Sequence, residues 1–226
     1  KKTGPTDLVT QMDQQVQNDL VEKITNRYPE DRIFAEEDGL RSPISEGSVW
    51  VIDPIDGTNN FVTQKEDFAV MVAYFEDGIG QFGLIYDVMR DYLFYGGGEF
   101  PVYRNEVELT PFVDQPLENF LISSNVGMLE KNDWGMADLG MDSLGIRVYG
   151  SAGISFSKIL SGGILAYFSY IWPWDYAAAA IMGERLGYTV LNLNGDQPNY
   201  QTVEPIMMVP KMKLAEIQTY LKKGRS

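Results

Sequence analysis

Two aspartates, Asp53 and Asp56, stand three residues apart at the end of an apolar run from Val49 to Ile52. Pro54 and Ile55 separate them, and Gly57 and Thr58 follow. Asp-Pro and Asp-Gly are turn signals, so the strand is expected to stop at Ile52. Pro54 fixes its own φ and pushes Asp53 towards extended geometry. Thr58 is placed to cap a following helical turn. Two carboxylates and a set of free backbone N–H groups then meet at one strand-to-helix corner. Carboxylate oxygens suit Mg2+, and N–H groups at a helix start suit a phosphate. Either dipeptide alone is ordinary turn chemistry, but the whole string from Trp50 to Phe61 carries more than a turn needs. Further acids stand elsewhere. Glu36, Glu37 and Asp38 follow a short apolar stretch and are either a solvated turn or a set projecting into a site. Asp175 opens a strongly helical segment, where a plain N-cap and a ligand are both open.

The rest of the composition narrows the chemistry. The 226-residue chain has a formal net charge of -14, with 44% hydrophobic and 12% aromatic residues, enough for a substantial core. Nucleic-acid polymers and anionic membranes are excluded as partners by like-charge repulsion. The same charge demands a local positive centre wherever a phosphate is to bind, and metal cations are the obvious source. The sequence contains no Cys and no His, which removes thiolate chemistry and the Ser-His-Asp route. Hydrolysis must therefore run on carboxylates, hydroxyls, Lys/Arg or metal. No stretch approaches 18 consecutive apolar residues, so no membrane span is expected. No signal peptide is visible and the chain opens on Lys1 rather than Met, so a leading segment is left open. The cytoplasm is the default location.

Several elements must position these acids. Val16, Leu20, Val21 and Ile24 recur at helical spacing and predict an amphipathic helix over 13–28, with Gln and Asn on its other face. Strands are expected at 32–35, 49–52, 68–75, 79–86 and 92–95, an antiparallel meander. Gly96, Gly97 and Gly98 read as a turn, since they lack Walker spacing and a following Lys. A polar link with Pro111 and Pro116 marks a boundary between an N-terminal half, 1–113, and a C-terminal half, 114–226. Beyond it strands (120–123, 145–149, 164–170, 188–193, 206–209) alternate with helices (128–139, 154–160, 174–186, 211–221), which predicts a mostly parallel layered arrangement.

The hexapeptide Asp53-Pro54-Ile55-Asp56-Gly57-Thr58 resembles the first signature of the inositol monophosphatase family of Mg2+-dependent, Li+-sensitive phosphatases. Trp174-Asp175 with the alanines at 177–180 resembles the second signature, and Ala35-Glu36-Glu37 the family's Glu-Glu element. Asp7-Leu8-Val9-Thr10 with Asp13, and Lys2 ahead of them, match the family's N-terminal region, so the likeness runs from about Lys2 to Ala180. It implies an α/β (α+β) fold, a layered αβαβα sandwich with an antiparallel N-terminal sheet. It also implies a first Mg2+ held by Glu36, Asp53 and the Ile55 carbonyl, and a second held by Asp53, Asp56 and Asp175. A third, looser ion would sit beside Glu36. Metal-activated water would attack phosphorus without a covalent enzyme intermediate. Glu36 and Thr58 would orient that water, with Asp13 hydrogen-bonded to Thr58. Asp56, Gly57, Thr58 and Asp175, together with the Gly150-Ser151-Ala152 turn, would contact the substrate.

The implied substrate is a small polyol phosphate such as inositol monophosphate, and the implied assembly a homodimer. Inositol-acting members often carry an acid in the loop before the Trp-Asp, whereas residues 167–174 hold none and Ser169 takes roughly that place. Tyr170 and Trp172 present a largely neutral aromatic wall there, which would suit a flat ligand. Sugar bisphosphates and nucleotides, of the 3′-phosphoadenosine 5′-phosphate or NADP type, are therefore alternative substrates. A non-catalytic metal-binding regulator is the contrasting alternative, opposed by the retention of Glu36, Asp53, Asp56, Thr58 and Asp175. A calcium-binding module is a further option, but the acids lack EF-hand loop spacing.

Overall fold

The computed structural model describes residues 11–223. Lys2 and the Asp7-Leu8-Val9-Thr10 match therefore lie outside the described residues. Helix α1 (Gln11–Arg27) leads into β1 (Arg32–Ala35), β2 (Ser48–Asp56) and the short helix α2 (Thr58–Thr63). Then follow β3 (Ala69–Glu76), β4 (Ile79–Asp87), β5 (Tyr92–Gly97), β6 (Phe100–Arg104) and β7 (Val107–Glu108). These seven strands form one sheet in sequence order. Every pairing in it is antiparallel except β1 with β2.

The second half contains β8 (Leu121–Ser124), α3 (Val126–Glu130), α4 (Met136–Asp142), β9 (Gly145–Arg147) and α5 (Ala152–Leu160). It ends with β10 (Tyr167–Ile171), α6 (Pro173–Arg185), β11 (Tyr188–Asn192), β12 (Glu204–Pro210) and α7 (Leu214–Lys223). Its five strands lie in the order β11-β12-β10-β8-β9.

Strand periodicity sets the layers. Successive residues of a strand face opposite sides. In β1 and β2, Ile33, Ala35 and Ile52 therefore turn towards Leu20, Val21 and Ile24 of α1. Phe34, Val49 and Val51 turn the other way, into a core shared with α5, α6 and strands of the second sheet. The far face of the second sheet buries Ile122, Phe168 and Met207 together with Met128 of α3, Leu139 of α4 and Ile217 of α7. The result is the αβαβα sandwich. Helix α6 lies hard against the first sheet. A Cβ on Gly83 of β4 would meet the Ala178 carbonyl oxygen at 2.3 Å, and one on Gly97 of β5 would meet the Ile181 carbonyl oxygen at 2.7 Å. Ala177, Ala178 and Ala179 keep the helix side of that seam equally flat.

The chain departs from sequence expectation at several points. β2 does not stop at Ile52 but runs through Asp56, its pairing with β3 shifting register between Asp53 and Asp56. Pro54, which has no N–H to give a ladder, falls in that irregular stretch. Thr58 does not cap α2. Gly57, at φ 88, is the cap residue, and Thr58 is the first helical residue. Gly96 and Gly97 belong to β5 instead of a turn, and β6 and β7 extend the meander. The helix expected over 128–139 is broken by a left-handed Trp134 (φ 57). The second sheet is mixed: β8 pairs parallel with β9 and β10, whereas β12 pairs antiparallel with β10 and β11. Among the described residues no helix is long and apolar enough to cross a membrane.

Candidate active site

The site lies where the C-terminal end of β2, the start of α2, the start of α5 and the start of α6 meet. β2 carries Asp53 and Asp56 in, buried to 1% and 8% exposure. Asp175 arrives from the other half of the chain, in the first turn of α6. Its Oδ2 accepts a hydrogen bond of 2.7 Å from the N–H of Trp172, the cap residue of that helix. Asp175 thus serves as helix cap and site residue together. One carboxylate oxygen from each of Asp53, Asp56 and Asp175 falls within 4.8 Å of the others.

Each carboxylate is held differently. Asp56 accepts from the Ser151 hydroxyl, from Ala152 N at 3.1 Å and from Gly153 N at 2.7 Å. Ser151 also caps α5 by accepting from Ile154 N at 3.1 Å. Gly153 is required: a Cβ there would come within 2.8 Å of Ala69 Cβ and 3.1 Å of Asp56 Oδ2. Asp53, by contrast, has a buried Oδ1 with no hydrogen-bond partner among the described residues.

The electrostatics follow from that crowding. Burial raises the Asp53 pKa well above the ordinary carboxylate value, and Glu36, Asp56 and Asp175 push it further. Asp175 is raised well above that value too, by burial and then by Asp56, with the Trp172 N–H opposing. Burial lifts Asp56, while its three hydrogen bonds pull it back. Tyr167, buried beside Asp56 and Asp175, has its phenol pKa pushed up by desolvation. Buried carboxylates that all need to ionise, one of them with an orphaned oxygen, are a donor set that fits a hard divalent cation. The all-oxygen chemistry fits Mg2+, and the Ile55 carbonyl, between the two aspartates on β2, accepts from Thr58 Oγ1 at 3.2 Å.

The remaining predicted residues gather at the same corner. Asp13 of α1, 1% exposed, faces Thr58, whose Oγ1 lies 3.4 Å from Asp13 Oδ1 and 3.2 Å from the Ile55 carbonyl oxygen. Glu36 leaves β1 directly beside β2, its N–H donating to the Ile52 carbonyl at 3.2 Å. Gly57 and Gly150 are both left-handed, at φ 88 and 70. In the 150–152 turn, the Ser151 hydroxyl and the Ala152 N–H donate to Asp56.

Three supporting residues escaped sequence reasoning. Gln17 clamps Glu37 through both backbone groups, accepting from Glu37 N at 2.9 Å and donating to Glu37 O at 3.1 Å. Its spacing of four from Asp13 puts both on one helix face, which is the signal that could have found it. Asn60 donates to the Asp67 carbonyl at 2.8 Å and the Tyr149 carbonyl at 2.7 Å, tying α2 to the turn before α5. Arg41 donates to the carbonyls of Ala35 and Glu36 and lays its guanidinium 4.5 Å from the centre of the Trp174 ring. Neither Asn60 nor Arg41 has a local sequence signal, because Asn60 reaches Tyr149 and Arg41 reaches Trp174 across the fold.

Comparison with known proteins bears on the same site. The profile of the inositol monophosphatase family matches residues 1–223. The chain is 36% identical over 201 residues to an inositol-1-monophosphatase of Bacillus subtilis, covering 86% of this chain and 76% of that one. The crystal structure of inositol monophosphatase II from Staphylococcus aureus superposes with a TM-score of 0.90 at 32% identity, covering 97% and 84% of the two chains. A structure described as an IMPase/NADP phosphatase complexed with Mg2+ and phosphate superposes at 0.89 with 26% identity, over 97% and 84%.

Proposed function

This chain belongs to the inositol monophosphatase family and is a phosphoric monoester hydrolase; on that premise we propose that it is Mg2+-dependent and acts on a small polyol phosphate such as inositol monophosphate. The observation that carries the metal reading is the convergence of Asp53, Asp56 and Asp175 from two ends of the chain onto one buried point, with an Asp53 oxygen left unpaired. The family is metal-dependent, and a related structure holds Mg2+ and phosphate. In this proposal Glu36, Asp53 and the Ile55 carbonyl would hold one ion, and Asp53, Asp56 and Asp175 would hold another, with a third, looser ion beside Glu36. The division of the chain into halves 1–113 and 114–226 belongs to the same proposal, since the first supplies Glu36, Asp53 and Asp56 and the second supplies Asp175.

Bound there, the cations would balance the carboxylates, polarise the phosphoryl oxygens and make water a competent nucleophile at neutral pH. Glu36 accepts the proton of the attacking water. Thr58, whose own proton is directed at Asp13 or the Ile55 carbonyl, offers its lone pairs to orient that water. The N–H groups of Gly57 and Thr58 face the phosphate, and Asp56 and Asp175 line the side of the leaving alcohol. The 150–152 turn acts on the substrate chiefly through Asp56, which Ser151 and Ala152 already hold. By the family likeness the nucleophile is metal-activated water, with no covalent enzyme intermediate.

The test is release of inorganic phosphate from inositol 1-phosphate while Mg2+ is titrated and Li+ then added. Turnover that needs Mg2+ and is blocked by Li+ supports the assignment. Equal turnover in excess chelator sinks it. A nucleotide substrate is the second reading, favoured by the absence of any acid in 167–174 and by the aromatic rim there. A homodimer is expected on family grounds, and light scattering of the purified chain would decide it.

A further inference from the structure

The turn that carries Glu36, Glu37 and Asp38 is pinned from two sides. Asp38 and Gly39 are both left-handed, at φ 59 and 66. The chain therefore doubles back, and Arg41 returns to pair with Phe34 in an isolated antiparallel bridge. On one side α1 holds the turn. Gln17 binds both backbone groups of Glu37, and Gln14 Nε2 donates to Asp38 at 2.5 Å. On the other side stands the guanidinium of Arg41. It donates to the carbonyl of Ala35, to that of Leu40 at 3.1 Å and to that of Glu36 at 3.3 Å. The same planar group lies 4.5 Å from the centre of the Trp174 ring and 5.7 Å from that of Phe34. Trp174 is 4% exposed, and Phe34 meets it edge-on at 5.7 Å. Trp172, at the rim, stacks on it with ring centroids 4.8 Å apart and planes 7° from parallel. Trp174 is next in sequence to Asp175, whose carboxylate accepts from the Trp172 N–H at 2.7 Å.

Arg41 thus joins two segments that reach the site from opposite halves of the chain. Asp53 and Asp56 are carried by β2 itself, whereas Glu36 stands one residue beyond the end of β1, on the turn. Asp175 moves with the start of α6. Glu36 can serve the same site as Asp53 and Asp175 only while the turn and α6 keep their relative place. A planar fork of N–H donors stacked on a buried ring is a stiff link, which an ammonium on a flexible stem is not. We propose that Arg41 is a positioning residue that fixes the Glu36 turn against the start of α6, and so sets the affinity for the cation held with the help of Glu36. Its guanidinium acts through the backbone carbonyls of the turn and the Trp174 ring, and touches neither substrate nor the reacting atoms. This inference rests on the metal-dependent reading above and is separable from it.

The experiment titrates Mg2+ into the native chain, Arg41→Lys and Arg41→Met. Binding is read by calorimetry and, in parallel, phosphate release is measured with inositol 1-phosphate. Groups that orient metal ligands from behind contribute about ten- to a hundredfold in metal affinity. Both variants should therefore bind Mg2+ at least about tenfold more weakly, and the Mg2+ concentration at half-maximal turnover should rise by the same factor. Excess Mg2+ should recover turnover, and KM for inositol 1-phosphate at that excess should stay within about threefold of native, since no substrate contact is lost. Lysine should not rescue, because it keeps the charge and loses the stacked fork. Should Arg41→Met fail to fold, Arg41→Lys carries the test. A lower Tm with an unchanged Mg2+ midpoint would assign Arg41 to stability alone, and a raised KM with an unchanged midpoint would make it a substrate contact. Either result overturns the proposal, as does native Mg2+ affinity in Arg41→Lys. In each of these outcomes the native chain still binds and needs Mg2+, so the metal reading stands. A native chain that neither binds Mg2+ nor needs it for turnover overturns both.

Discussion

Asp53 occupies a place that water has left and that other carboxylates share, which makes its ionisation a liability until a cation arrives. In metal-free protein its pKa is raised by burial, then by Glu36, Asp56 and Asp175. The folded chain therefore keeps a proton that the unfolded chain releases above the ordinary value of 3.8. Stability from this group is present below that value and is lost as pH rises through the higher folded value. Metal-free protein should thus lose thermal stability as pH is raised from about 4 towards neutrality, and Asp53→Asn should flatten the loss in a melting series. The same substitution removes the ligand proposed for both cations. Turnover should fall at least about a thousandfold, the worth of several kcal/mol of charge stabilisation. A phosphate-release assay retaining near-native activity would rule out the shared ligand. Thr58→Ala should cost about a hundredfold in kcat, on the scale of one general-acid/base or water-orienting group. Thr58→Ser, which keeps the oxygen facing Asp13, should recover most of it.

At the scale of elements, α6 is the piece whose position the site can least afford to lose, and glycines set that position. Gly83→Ala would drive a methyl group into backbone atoms of Ala178, which cannot rotate away. The expected cost is about 1–3 kcal/mol from overpacking, read by chemical denaturation, with a weaker apparent Mg2+ affinity because Asp175 moves with the helix. Unchanged stability would mean that the seam is looser than these distances. The segments bearing the ligands were legible from sequence because their signals are local. Asp53, Asp56 and Thr58 lie within six residues, and Asp175 opens a helix rich in alanine. What was not legible depends on partners distant in the chain. β2 continues through Pro54 because β3 offers a ladder that shifts register around it, and no single-strand pattern contains that neighbour. The mixed order of the second sheet has the same origin. Alternating strands and helices predict layers, but the direction of β12 follows from how the chain reverses after β11. Gln17 was read as the solvent face of α1, yet it is 1% exposed, because Glu37 supplies the backbone partners that a buried amide needs.

For the whole molecule, the acidic balance and the carboxylate cluster tie stability to the solution. A cation that binds the folded chain and not the unfolded one adds about 2.7 kcal/mol at a hundred times its dissociation constant. For a chain of this size that is about 5–10 °C in Tm. A Mg2+ titration followed by calorimetry should show that rise, Asp53→Asn should abolish it, and K+ at equal ionic strength should not reproduce it. A flat melting curve across the titration would count against binding at the carboxylates. The stacked tryptophans of the rim have a consequence of another kind, an optical one. The protein has four tryptophans; two of them, Trp172 and Trp174, are stacked face to face with their planes nearly parallel, and a third, Trp134, donates to the Tyr170 hydroxyl at 3.4 Å. Indoles stacked this closely couple their excited states, so replacing Trp172 should change the near-ultraviolet circular dichroism by more than the loss of one isolated ring. Trp50, against Tyr28, Tyr74 and Phe82, supplies the background. The enzyme thus carries its own chromophore at the mouth of its site, and whatever settles there will be visible without a label.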